Sequence, residues 1–221
     1  MTTRIAVAVE ETPKRTFASA IDWPGWSRSG RTVAGALEAI LAYADRYRRV
    51  ATLAEVSFPS GDLEVEVFET ASGGAGTEFG VPSRVTEADR RSTTAADGER
   101  LARLVEAAWT RLAEVAKRSP EVLRKGPRGG GRDKTKMLGH VLEADAAYAR
   151  EIGLRLQAPA LDDRRAAAEL RAAMLDALRA PTDGSPLAGR KWTARYAAHR
   201  IAWHALDHAW EMEDRSAPEA G

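Results

Sequence analysis

The chain has 221 residues, room for one large domain or two small ones with ample capacity for a core. Its 33 basic and 32 acidic residues nearly cancel, so no overall field points to nucleic acid or to an anionic membrane. The absence of cysteine removes disulfides, thiolate ligands and a cysteine nucleophile together, and leaves any metal to nitrogen and oxygen donors.

No basic stretch followed by a long apolar run opens the sequence, and no apolar run approaches the ~18 residues a membrane span needs, so a soluble, cytoplasmic protein is expected. The first ~90 residues alternate in short runs broken by turn signals. Ile5-Ala-Val-Ala-Val-Glu reads as a strand and Arg15-Thr-Phe-Ala-Ser-Ala-Ile-Asp as a second, joined by a turn at Glu11-Thr-Pro-Lys. Trp23-Pro-Gly-Trp-Ser-Arg-Ser-Gly reads as a loop, because Pro24 and Gly25 interrupt regular structure. Thr32 is placed to cap a helix whose apolar stripe is Val33, Leu37, Ile40, Leu41 and Ala44. The strict alternation of Leu63-Glu-Val-Glu-Val-Phe-Glu predicts a half-exposed strand, and the Gly/Ser/Thr/Ala-rich stretch from Ala71 to Thr94 predicts a linker.

Beyond it every segment is helical in pattern. Leu101, Leu104, Val105, Ala108, Leu112 and Val115 line one helix that Ser119-Pro120 stops. A second runs from about Asp133 to Leu156, a third from about Asp162 to Arg179, and a fourth from beyond Gly189 to near Arg215. The fold class expected is therefore an α+β N-terminal domain over residues 1–92, followed by an all-α antiparallel four-helix bundle over 93–221.

All four histidines lie at or beyond His140. His204 and His208 are four apart, which places both on one helical face about one turn apart. His140 sits on the second helix, in Met137-Leu-Gly-His-Val-Leu-Glu. A lone His-x-x-x-His pair is more often two histidines on a half-polar face, but a third on another amphipathic helix favours a metal site. Three protein ligands leave an open position, as in catalytic sites. His199 is rotated ~160° from the His204/His208 pair and is excluded. Glu143, Asp207 and Glu211 are the carboxylates placed to hold a second ring nitrogen, with Glu143 and Glu211 also available as general bases. Small Ala144 and Ala147 beside His140 would leave space for a ligand.

The run Arg124-Lys-Gly-Pro-Arg-Gly-Gly-Gly-Arg-Asp-Lys-Thr-Lys leads into the His140 helix. It lacks the Lys-Ser/Thr of a phosphate loop and follows a helix rather than a strand. Lys125, Arg128, Arg132 and Lys134 are nevertheless placed to clamp a carboxylate or phosphate at the pocket mouth, with a flexible solvated connection as the plainer alternative. One short basic loop is a small footprint for nucleic acid.

Gly139-His140-Val-Leu-Glu143-Ala and His204-Ala-Leu-Asp-His208-Ala-Trp-Glu211, in the second and fourth helices, resemble the metal triad of the DinB superfamily, which includes bacillithiol- and mycothiol-dependent transferases. The resemblance is strongest over residues 125–154 and 196–215. It implies a four-helix bundle and a divalent metal, zinc or nickel, on His140, His204 and His208 with water as the remaining ligand. It also implies thiol S-transfer with a low-molecular-weight thiol as cosubstrate. Metal-assisted hydrolysis is the alternative chemistry, and a non-catalytic metal-binding or stress-response module the alternative class. Ile5-Ala-Val-Ala-Val-Glu, the Asp22-Trp-Pro-Gly-Trp turn and the helix after Ser29-Gly-Arg-Thr resemble HicB-like small domains, whose toxin and RNA associations are not implied here. The expected partner is a small-molecule substrate, without membrane or nucleic acid; a homodimer stays open, because bundle faces often dimerise.

Overall fold

A computed structural model describes residues 2–125 and 133–216. The N-terminal region forms a four-stranded mixed sheet in the order β3-β2-β1-β4, from β1 (Thr3–Glu11), β2 (Thr16–Ala20), β3 (Ser27–Gly30) and β4 (Leu63–Ser72). β1 and β2 are antiparallel, as are β2 and β3, whereas β4 lies parallel to β1 on its other side. A parallel neighbour needs a crossover. Two helices provide it, α1 (Val33–Ala42), capped by Thr32 accepting from the Gly35 N–H, and α2 (Ala44–Leu53).

β1 is central and covered on both faces, which is why it reads as an almost unbroken apolar run. Ile5 and Val7 join the main core, while Ala8 packs with Ile21 and Ala88 in a small cluster.

Three N-terminal expectations change. The predicted loop from Trp23 ends in strand β3, because Ser27–Ser29 find backbone partners on β2 although Ser-Arg-Ser-Gly has no apolar alternation. The helix opened by Thr32 breaks at Tyr43, and α2 follows it, burying Tyr47, Val50 and Ala51 under a strongly charged surface. The Ala71–Thr94 stretch is partly ordered structure: β4 runs to Ser72, then come α3 (Ala75–Phe79) and a 3-10 turn at Ala88–Arg90. Buried Glu10 of β1 holds this stretch to the sheet, accepting from the Thr77 hydroxyl and from the Ser83 and Arg84 N–H groups.

The C-terminal half is mostly helix: α4 (Ala95–Arg118), α5 (Lys134–Glu151), α6 (Arg164–Arg179) and α7 (Ala194–Ser216). Thr94 and Asp97 form a capping box that starts α4 six residues before the first residue of the predicted stripe. α4 packs on α2, α6 and α7, and α5 packs on α6 and α7. The predicted boundary at 92/93 falls beside an isolated bridge between Thr93 and Thr182, and one apolar core runs across it from Ile5, Trp26 and Tyr47 to Leu104, Ile201 and Trp210. Among the described residues no helix is long and apolar enough to cross a membrane.

α7 is buried around most of its circumference. The Pro24–Gly25 turn lies against it, and Arg28 of β3 reaches Asp207 at 3.0 Å. The N-terminal sheet thus helps to position the helix that carries two of the three histidines.

Asp145 on α5 ties three helices together. It accepts from Trp109 Nε1 of α4 at 3.3 Å and from Arg171 Nε and Nη2 of α6 at 3.1 and 3.0 Å. Complete burial pushes its carboxyl up to about 6, against the opposing pull of Arg171 and Trp109. Between its ordinary range and that value the folded chain binds more protons at this site than the unfolded chain. Unfolding free energy therefore falls as pH rises through the interval, and the penalty is fully present above it. Relative to Asp145→Asn, the wild-type chain should lose roughly 1 kcal/mol between pH 5 and 7 in denaturant titrations. A pH-independent difference would contradict this.

Candidate metal centre

His204 and His208 project from one face of α7, and His140 comes from α5 packed against it. The ring centroids lie 4.9 Å apart for His140 and His204, 5.3 Å for His140 and His208, and 4.8 Å for His204 and His208. His140 Nε2 and His204 Nε2 are 3.2 Å apart. One ligand nitrogen from each ring lies within 4.8 Å of the others, close enough for the three to bind a metal ion. Tetrahedral ligation at ~2.0–2.1 Å needs nitrogens ~3.4 Å apart, which the His140–His204 pair already meets.

The donor set also fits by its chemistry. His208 Nδ1 lies 3.0 Å from Glu211 Oε2, and a carboxylate can only accept, so Nδ1 carries the proton and the Nε2 lone pair is left for an ion. Arg215 in turn holds Glu211 Oε1 at 2.7 Å. His204 is buried while His140 and His208 are half-buried, which places the cluster at the edge of the core rather than on open surface. Glu211→Gln should weaken metal binding about ten- to a hundredfold while leaving one site per chain, as read by competition with a chromogenic chelator. Unchanged affinity would remove Glu211 from any positioning role.

His199 is turned away from the cluster, with its Nε2 2.9 Å from the carbonyl of Ile21. Asp207 serves Arg28 rather than a ring nitrogen; burial raises its carboxyl above the ordinary range, and Arg28 opposes that shift. Glu143 is exposed on α5, Ala144 beside it is half-buried and Ala147 is exposed. Lys134, at the start of α5, donates to the Ser119 carbonyl at 2.9 Å and so fastens the end of α4 to α5. Arg128 and Arg132 lie outside the described residues.

Two residues flank His204: Tyr148, which sequence reasoning passed over, and Arg200, which it placed at the edge of the His204/His208 face. Tyr148 of α5 meets its ring edge-on at 5.7 Å, and Arg200 donates to the Tyr148 hydroxyl at 3.0 Å. Arg200 was legible, being one helical turn before His204. Arg28 was not, because 179 residues separate it from Asp207. Comparison of the chain with protein-family models, with curated proteins and with solved structures finds no match. The cluster therefore stands on its own geometry.

Proposed function

We propose that this chain is a metal-dependent enzyme of DinB type, in which α4 to α7 act as an antiparallel four-helix bundle and His140, His204 and His208 hold a zinc or nickel ion. The observation that carries this reading is the convergence of three imidazoles from two helices, one of them with its tautomer set by Glu211. When bound, such an ion lowers the pKa of a coordinated thiol or water and supplies the electrostatic part of catalysis.

The chain's own residues do the rest. Glu211 orients His208, and Arg215 holds the other oxygen of Glu211. Tyr148 and Arg200 wall one side of the His204 ring with a hydroxyl and a cation. The favoured reaction is transfer to or from a low-molecular-weight thiol, in a cytoplasmic setting that keeps such thiols reduced. Occupation of Glu211 by His208 and Arg215 favours this over hydrolysis with Glu211 as general base. The HicB likeness of the sheet is retained only as a description of that small domain, which supports α7 through Arg28.

Cobalt-loaded protein offers the direct test. Titration with a small thiol should produce a sulfur-to-cobalt charge-transfer band that a matched alcohol does not. Metal uptake without any thiol response would leave a metal-binding module and sink the transferase reading.

A further inference from the structure

A cavity lies along the flank of α7 next to Arg200, between that helix, the sheet and the 82–89 segment. Its volume is ≈ 40 Å³. At ~10–15 Å³ for each enclosed water it has room for about three, or for a small organic molecule. Most of the wall is apolar, from residues such as Val9, Ile21, Pro82 and Ala88, and the polar wall includes His199 and Arg200.

Arg200 is the unusual member. It is only 9% exposed, and its partners among the described residues are the Tyr148 hydroxyl and the faces of Tyr148 and Trp203, none of them a carboxylate. Its Nη1 is buried without a hydrogen bond, as is His199 Nδ1. A buried guanidinium with no carboxylate in hydrogen-bond contact is costly, and a directly bound anion would relieve that cost.

The carboxylates that line the same cavity make no ion pair or hydrogen bond with Arg200 among the described residues, and the partners they have are local. Glu10 accepts from Thr77, Ser83 and Arg84, and Asp89 Oδ2 accepts from the N–H and hydroxyl of Thr86. A largely apolar chamber with one buried, incompletely bonded guanidinium matches a ligand that is apolar at one end and anionic at the other.

We propose that this cavity is a second ligand site, taking a short-chain monocarboxylate whose charge is anchored by Arg200. Its lining includes none of the three histidines, so binding does not depend on the metal.

The probe is propionate, titrated into the full chain by two-dimensional NMR, with propionamide as its uncharged match and inorganic phosphate as a rival anion. Propionate should shift resonances of Ala88, His199 and Arg200 saturably, and propionamide should bind at least tenfold more weakly. Losing the charged contact in Arg200→Gln should weaken propionate about ten- to a hundredfold. Ala88→Leu should abolish binding by filling the chamber, with stoichiometric metal uptake unchanged. Chelation of the metal should leave propionate affinity unaltered, which separates this site from carboxylate ligation at the histidines.

If Arg200→Gln does not fold, the propionate–propionamide comparison on the unaltered chain still decides. Equal affinity for acid and amide, preference for phosphate, binding that survives Ala88→Leu, or no saturable binding each overturns the proposal.

Discussion

Replacing His204 or His208 by alanine should abolish stoichiometric metal, whereas His199→Ala should leave it unchanged. The first two rings stand on the α7 face that meets His140, and each supplies one of the three nitrogens that, among the described residues, lie within 4.8 Å of one another. Two remaining imidazoles cannot hold a divalent ion at stoichiometric occupancy against the buffer. His199 faces the sheet, with Nε2 at the Ile21 carbonyl, and its loss removes one hydrogen bond at a cost of about 1 kcal/mol without touching the cluster. Elemental analysis of the three purified variants, alongside wild type, reads the outcome. Equal metal loss in all three would mean that the centre is not the His140–His204–His208 cluster. Metal retained in the His204 and His208 variants would mean that the ion binds elsewhere.

Gly25→Ala should destabilise the chain by about 2–5 kcal/mol, the sum of a left-handed backbone cost and forced overpacking. Gly25 has φ +89°, a region that L side chains rarely adopt. A Cβ there would lie 2.8 Å from Leu206 Cδ1 and 2.9 Å from the Ala202 carbonyl carbon, and the second of these belongs to the backbone of α7 and cannot rotate aside. The strain falls where the N-terminal turn meets α7, between Ala202 and Leu206 and beside His204. Denaturant melts should therefore show a lower midpoint. The transition should stay single, because one apolar core spans both halves. A two-step transition, with only the sheet weakened, would show that the halves unfold independently.

The pattern of local signals explains what could be read without coordinates. The i, i+4 spacing of His204 and His208, the opposite phase of His199 and the cap at Thr32 follow from the 3.6-residue period and from side-chain chemistry within four residues. The long helices were legible because each carries several turns of one apolar stripe. α2 was missed because its charges outnumber its apolar residues, and only the covering of Tyr47 and Val50 by the rest of the fold makes it a helix. β3 was missed because Ser-Arg-Ser-Gly becomes a strand only when β2 lies alongside to accept its hydrogen bonds.

The metal cluster divides in the same way. The pairing of His204 with His208 and the reach of Glu211 to His208 were written in spacing, because these residues lie three or four apart on one helix. The meeting of α5 with α7, the reach of Arg28 to Asp207, and the stranding of Arg200 between Tyr148 and a small apolar chamber were not. Those are contacts between segments from 52 to 179 residues apart, fixed by how the helices and the sheet share one core. Sequence alone determined which side chains share a helical face; packing alone decided which faces meet, because burial rewards the whole assembly and not any one segment.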